Sequence, residues 1–346
     1  MNHCGGPGTV ATTMSMRHRF ADPAARTQQP KGSIVTADPS LADVDEATVA
    51  PAAGQQPAAC ASEHDPLHRS IAERYAAGYC PAQIFAALTS GSFDAEAPTV
   101  LDSEAAVAAM QRALGAALEP REAAALLRGI PAPDLEGTPS AIEVPGREVK
   151  LLMNIGKPRI MLFGGLLDDD ECDEVIRIAG PRLKRSTHNY DGGKVSESLD
   201  DARTSYGADL LRDERIAVCE RLDARVAALL NWPIDFSAKW QVLRYGVGGE
   251  FRPHYDCFHD SLGPWHPVMR AGGHRCGSLL VYLKTPARGG TTIFPELPLE
   301  VPAHRGSALY FGYTKPTRVL HGGAPVLEGE KWVMVKWFRQ GPFDRA

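Results

Sequence analysis

The sequence predicts an α+β fold: a double-stranded β-helix (jelly-roll) barrel supported by helices, with a small N-terminal helical region. Three observations predict it. Two stretches with helical spacing lie between Asp168 and Leu230, at least six short β-rich stretches separated by Gly/Pro turns follow them, and a separate helical pattern occupies residues 66–130. Short strands gathered after helices, rather than alternating with them, argue for a curled double sheet instead of a parallel one. No fixed-period repeat is present, which argues against a solenoid or propeller.

Residues 1–65 are rich in Ala, Pro, Gly, Thr and Gln with few large apolar side chains. Such a composition cannot offset the entropy of ordering, and a disordered tail is expected. In 66–130, Ile71, Tyr75, Ile84, Phe85 and Leu88 surround a break at Pro81, Ser103 opens a run through Val107, Met110 and Leu114, and another helical piece follows Pro120. Pro131, Pro133 and Pro139 mark 131–158 as a linker. The remainder, 159–346, is the main domain. It opens with a strand over 159–163, and Asp168, Asp169 and Asp170 then supply an acidic N-cap for a helix through Cys172, Val175, Ile176 and Ile178. A second helix over 212–230 carries Ile216, Leu222, Val226, Leu229 and Leu230 and stops before Pro233. Strands are expected at 240–245, 278–283, 291–294, 307–311, 318–321 and 331–338.

At 346 residues and 44% hydrophobic, the chain can fill one large core and a smaller one. From Lys239 onward fourteen Lys/Arg face eight Asp/Glu, so a net charge of −5 leaves eleven net negative charges on the rest. That favours a small anionic ligand in the C-terminal half. A nucleic-acid partner is not expected, because no dense basic run with interleaved aromatics is present. The seven cysteines, Cys4, Cys60, Cys80, Cys172, Cys219, Cys257 and Cys276, lack C-x-x-C spacing and are odd in number, which fits reduced thiols and a cytoplasmic setting. The opening MNHCGGPGTVATTMSM has no apolar signal stretch, and no run approaches the ~18 apolar residues of a membrane span.

The chemistry centres on His254 and Asp256, an H-x-D pair, and on the distant His321. On a strand, positions i and i+2 project to one face, so an imidazole and a carboxylate can grip one cation together. Two histidines and one carboxylate on one face of an octahedron leave three positions open, the arrangement of non-haem iron(II) oxygenases. An isolated H-x-D is common, so its surroundings decide. Lys331 lies on the expected last strand between Glu330 and Trp332; a buried ammonium needs an anion, and its ordinary partners would be Glu328, Glu330 or solvent. His259, His266, His274 and His304 lack a carboxylate two positions on. They read as surface or supporting residues, and Cys257, facing away from Asp256, reads as core. The polar, Gly/Ser-containing loop over 188–202 has the length of a lid.

The segments QVLRYGVGGEFRPHYD, GGTTIFP and RVLHGGAPVLEGEKWVMVKWFR closely resemble the prolyl 4-hydroxylase family of iron(II)- and 2-oxoglutarate-dependent dioxygenases, from about Arg159 to Pro342. The resemblance implies iron ligands at His254, Asp256 and His321, and a lysine, Lys331, that pairs with the far carboxylate of 2-oxoglutarate. It also implies hydrogen bonds to that carboxylate from Tyr245 and Thr292, and peptide contacts from Arg275, Trp337 and Arg203. The implied reaction is procollagen-proline 4-dioxygenase-like: peptidyl proline, O2 and 2-oxoglutarate give 4-hydroxyproline, succinate and CO2, with ascorbate as reductant. Alternatives are hydroxylation of a free amino acid or another side chain and, in a different class, a non-catalytic peptide-binding module. Asp256 counts against a halogenating relative, which needs a small residue there. Lysyl hydroxylases and nucleic-acid demethylases generally carry Arg where Lys331 stands. One departure is Phe251, where the family usually has Tyr; it bears on substrate preference.

Overall fold

The central strands are buried on both faces, and their successive side chains alternate between one core under the helices and another between two facing sheets. The computed structural model describes residues 65–94, 99–186, 203–258, 262–313 and 318–343. The tail expected over 1–65, Asp65 apart, and the polar loop expected over 188–202 lie outside the described residues. No helix among the described residues is long and apolar enough to cross a membrane.

The N-terminal helices are α1 (Pro66–Ala76), α2 (Pro81–Ser90), α3 (Ser103–Leu114) and α4 (Pro120–Arg128). Three of them open on proline, whose missing N–H and fixed φ suit the first helical turn. Asp65 and Asp102 cap α1 and α3 by accepting from the backbone N–H groups of Leu67 (2.9 Å) and Ala105 (2.7 Å). Ile71, Ile84, Leu88 and Met110 give this region a core of its own.

The main domain follows as β1 (Ala141–Val144), β2 (Arg147–Ile155), β3 (Arg159–Gly164), α5 (Asp169–Ala179), β4 (Lys184–Arg185), β5 (Tyr206–Leu210), α6 (Ala217–Leu230) and β6 (Trp240–Tyr245). Among the described residues, nine further strands complete it: β7 (Phe251–His254), β8 (Arg275–Lys284), β9 (Arg288–Gly289), β10 (Thr292–Phe294), β11 (Leu299–Val301), β12 (Ala308–Gly312), β13 (His321–Gly323), β14 (Val326–Glu328) and β15 (Lys331–Arg339). The larger sheet runs β1-β2-β3-β12-β8-β15-β6-β5-β4, the smaller β11-β10-β13-β7, and all their pairings are antiparallel. On β12, Leu309 and Phe311 face the smaller sheet's side, sharing a core with Phe294 and Val301. Ala308 and Tyr310 face α5 and α6, in a core with Val175, Leu222 and Val226. This is the jelly-roll with helical support that the sequence predicts.

Three expectations are corrected. The linker expected over 131–158 from Pro131, Pro133 and Pro139 holds β1 and β2, which extend the larger sheet and are joined by a hairpin turn at Pro145 and Gly146, with φ +81° at Gly146. The helix expected over 212–230 begins only at Ala217, because Arg215 at φ +53° separates it from a short 3-10 turn at Arg212–Glu214. The strand expected over 318–321 starts at its last residue, His321.

Candidate active site

His254 and His321 are direct cross-strand partners, β7 against β13, and their ring centroids lie 4.4 Å apart. Asp256 does not stand on the strand as the i, i+2 argument supposes. β7 ends at His254, and the carboxylate comes from the bend that follows. The three side chains nonetheless converge, with potential ligand atoms all within 4.8 Å of one another. Asp256 Oδ1 lies 3.4 Å from His254 Nε2, and Oδ2 lies 3.5 Å from His321 Nε2.

The tautomers follow from the backbone. His254 Nδ1 donates to the Arg252 carbonyl (2.9 Å) and His321 Nδ1 donates to the Val319 carbonyl (3.1 Å), so each Nε2 lone pair faces the shared centre. Burial lowers the His321 pKa to about 4, leaving a neutral imidazole at pH 7. Burial also opposes ionisation of Asp256, but His321, His254 and the Ser278 hydroxyl outweigh it and hold the carboxyl well below its usual range. Ser278 Oγ donates to Asp256 Oδ2 at 2.6 Å. An ionised carboxylate beside two correctly turned imidazoles is a donor set that fits a divalent iron.

The cavity below these groups is lined by Arg203, Tyr245, Phe251, Thr292, Gly323, Lys331, Val333, Val335 and Trp337 among others. The pleat of β15 accounts for much of that wall, since Lys331, Val333, Val335 and Trp337 alternate with residues facing the helices. Lys331 pairs in register with Tyr245 on β6, and its Nζ stands 5.9 Å from the Tyr245 ring centroid and 5.6 Å from that of Tyr282. Only 4% of Lys331 is exposed, and burial lowers its pKa to about 8. Neither expected neighbour neutralises it: Glu330 pairs with Arg244 and Lys284, and among the described residues no carboxylate pairs with Lys331. Thr292 Oγ1 is 2.7 Å from the Tyr282 hydroxyl, and the Tyr245 hydroxyl engages Ser205 and Arg203.

The residues expected to contact substrate divide. Arg203 and Trp337 line the cavity, Arg203 donating to Gln241 Oε1 (2.8 Å) and lying 5.1 Å from the Phe251 ring. Arg275 stands behind the wall, donating to the Asp256 carbonyl (3.1 Å) and lying 5.2 Å from the Trp337 ring. Of the further histidines, His259 lies outside the described residues, and His266 accepts from the Val268 N–H at the start of a short 3-10 turn. Cys257 packs partly buried against the barrel core. Ser278 and Tyr282 were not singled out in the sequence. β8 is buried on both faces and Tyr282 is itself part of the barrel core, so no periodicity in the sequence marks either residue.

Residues 240–339 match the model of the 2OG-Fe(II) oxygenase superfamily, a span that holds all three converging side chains and Lys331. The chain is 32% identical over 213 residues to probable prolyl 4-hydroxylase 7 of Arabidopsis thaliana, covering 55% of this chain and 65% of that protein. It is 32% identical over 217 residues to probable prolyl 4-hydroxylase 4 of the same plant, covering 55% of this chain and 70% of that protein. The viral collagen prolyl hydroxylase of Paramecium Bursaria Chlorella virus-1, in its 2OG complex, superposes with TM-score 0.41 at 26% identity, covering 52% of this chain and 95% of that one. The chain belongs to the prolyl 4-hydroxylase family, whose cofactors are Fe(II), 2-oxoglutarate and O2.

Proposed function

We propose that the protein uses O2 and 2-oxoglutarate to hydroxylate a prolyl residue of a peptide or protein to 4-hydroxyproline, one oxygen atom going to proline and the other to succinate, with CO2 released and ascorbate serving as reductant to keep the iron ferrous. The observation that carries this reading is one cavity with the His254, Asp256 and His321 donors at one end and the uncompensated ammonium of Lys331 at the other. A dicarboxylate chelating a cation at one end needs a positive charge at the other, and charge-assisted hydrogen bonds are the strong ones.

In this reading His254, Asp256 and His321 would hold Fe(II), whose chemistry would let O2, the oxidant, hydroxylate the C–H bond with 2-oxoglutarate as the electron donor. Lys331 anchors the far carboxylate of 2-oxoglutarate, with Tyr245 and Thr292 beside it. The ring faces of Tyr245 and Tyr282 keep water from the ammonium. Ser278 keeps Asp256 turned inward and ionised through its hydrogen bond. Arg203 and Trp337 seat the peptide, and Arg275 holds Trp337 in place by stacking on it. The free thiols of Cys80, Cys172, Cys219, Cys257 and Cys276 support a reducing, cytoplasmic setting.

The test is to incubate the full chain with Fe(II), 2-oxoglutarate, ascorbate and a proline-rich peptide, following succinate and the peptide mass. Succinate with one added oxygen atom on proline, both lost in His254→Ala, is the expected result. Turnover confined to free amino acids would replace the peptide substrate, and stoichiometric iron binding without succinate would favour a peptide-binding module.

A further inference from the structure

The helices α1–α4 lie outside the superfamily match, and their packing shows what they hold. Gln83, 1% exposed, uses both ends of its amide. Its Oε1 accepts from the Cys80 N–H (3.2 Å), while Nε2 donates to the carbonyls of Pro264 (2.8 Å) and His266 (3.4 Å). Trp265 inserts from the opposite direction. Its ring meets Tyr79 edge-on at 5.0 Å and Phe93 at 6.0 Å, the Arg74 guanidinium lies 4.4 Å from it, and Nε1 donates to the Ser92 carbonyl (3.2 Å). Gly273 completes the seam: its φ is +73°, and a Cβ there would sit 2.4 Å from the Ala82 Cβ. Only glycine allows so close an approach in that conformation.

The clasped segment joins two parts of the active site. The chain leaves the site at Asp256 and returns at Arg275, whose guanidinium touches the Asp256 carbonyl and stacks on Trp337. From the sheet side, Arg339 donates to the carbonyls of Val268 (3.2 Å) and Gly273 (2.9 Å). A connection held only at its ends would sample many conformers, and substrate binding would have to order it. Anchors made beforehand remove that cost from the binding step.

We propose that the helical region is a built-in positioning element: by docking Gln83 against residues 262–274 and receiving that segment's Trp265 between Tyr79, Phe93 and Arg74, it fixes Arg275 and Trp337 and so governs how a peptide seats beside the metal ligands. Gln83 and Trp265 are positioning residues that act through Arg275 and Trp337. The peptide substrate rests on the reading given under Proposed function, whereas the docking itself does not depend on turnover.

The experiment compares the full-length wild type with Gln83→Ala, Trp265→Ala and Trp265→Phe, by amide hydrogen exchange and by steady-state kinetics with a proline-rich peptide. Gln83→Ala and Trp265→Ala should speed exchange over 262–274 and leave β15 protected. They should raise the peptide KM about tenfold while the 2-oxoglutarate KM stays within about twofold, and Trp265→Phe should recover most of the loss. Faster exchange with an unchanged peptide KM overturns the positioning role, and so does loss of protection across β15, which would mark the helices as general stabilisers. Unchanged exchange overturns the docking. A wild type that leaves peptidyl proline untouched defeats the Proposed function alone, because the exchange measurement still decides the docking.

Discussion

Strand β15 buries two lysines on opposite faces, and among the described residues only one of them has an anion. Lys336, 1% exposed, faces α6: its Nζ lies 3.0 Å from Asp223 Oδ1 and donates to the Ala238 carbonyl (3.0 Å), 4.5 Å from the Trp240 ring centroid. The same Asp223 oxygen accepts from Trp240 Nε1 at 2.7 Å. Lys331 faces the barrel with two tyrosine rings and, among the described residues, no carboxylate. Burial lowers the pKa of both; for Lys331 the fall from 10.5 to about 8 corresponds to a penalty on the order of 3 kcal/mol for keeping the charge. A buried ammonium with its partners in place is architecture. One left without an anion costs stability unless a ligand brings the anion, which is how a binding site differs from a core.

The largest effect should come from the paired lysine. Lys336→Ala strands the Asp223 carboxylate beneath Trp240 and should destabilise the fold by about 3–5 kcal/mol in denaturant titration. Adding Asp223→Asn should recover much of that loss, since no lone buried charge then remains. The 2-oxoglutarate KM should not change. A cost under about 1 kcal/mol would erase the contrast between the two faces of the strand.

Lys331→Met should behave in the opposite way. The stem's volume is kept and an unpaired buried charge is removed, so stability should hold or rise, while 2-oxoglutarate affinity falls by about 2–3 kcal/mol, the range of a hydrogen bond to a charged group. Unfolding midpoints and 2-oxoglutarate KM measured side by side separate the two lysines. Equal destabilisation with intact co-substrate affinity would return Lys331 to the core.

The pH dependence is the next effect in size. Lys331 is charged below about pH 8 in the free protein, so 2-oxoglutarate should bind well there and weaken by about tenfold per pH unit above it. The stability linkage has the opposite sense. The folded pKa lies below the unfolded value of 10.5, so the penalty is fully present below about pH 8 and is relieved as pH rises from there toward 10.5. Both slopes should be absent in Lys331→Met.

How much of this was legible in the sequence depends on the range of the forces involved. The strand Trp240–Tyr245 and the helices α1–α4 announce themselves through local periodicity and prolines at helix starts. The H-x-D and the later histidine could be picked out by residue type, but the route by which Asp256 reaches them, from a bend beyond β7, is set by tertiary closure. The hairpin β1–β2 was hidden because proline and glycine punctuate linkers and tight turns alike. Non-local contacts left no local mark at all: nothing about Gln83 or Trp265 alone says that they meet across 181 or 173 residues of chain with Pro264 and Ser92.

The smallest effect lies at the metal end of the cavity that Lys331 shares. Phe251 stacks on the His254 ring, centroids 3.7 Å apart and planes 24° from parallel, and the Arg203 guanidinium lies 5.1 Å from its ring. The ring thus supports a proposed ligand and forms cavity wall without offering a hydrogen bond. Phe251→Tyr changes little volume, so stability should stay within about 1.5 kcal/mol and the 2-oxoglutarate KM should be unaffected. The added hydroxyl places a polar group where the phenyl ring offers none, and a substrate that cannot satisfy it loses about 1–3 kcal/mol if the group is fully buried, less near the mouth. Competition between two proline peptides differing in polarity should therefore shift by several-fold in kcat/KM toward the more polar one. A change in 2-oxoglutarate KM instead would move Phe251 from the peptide side of the cavity to the side that Lys331 governs.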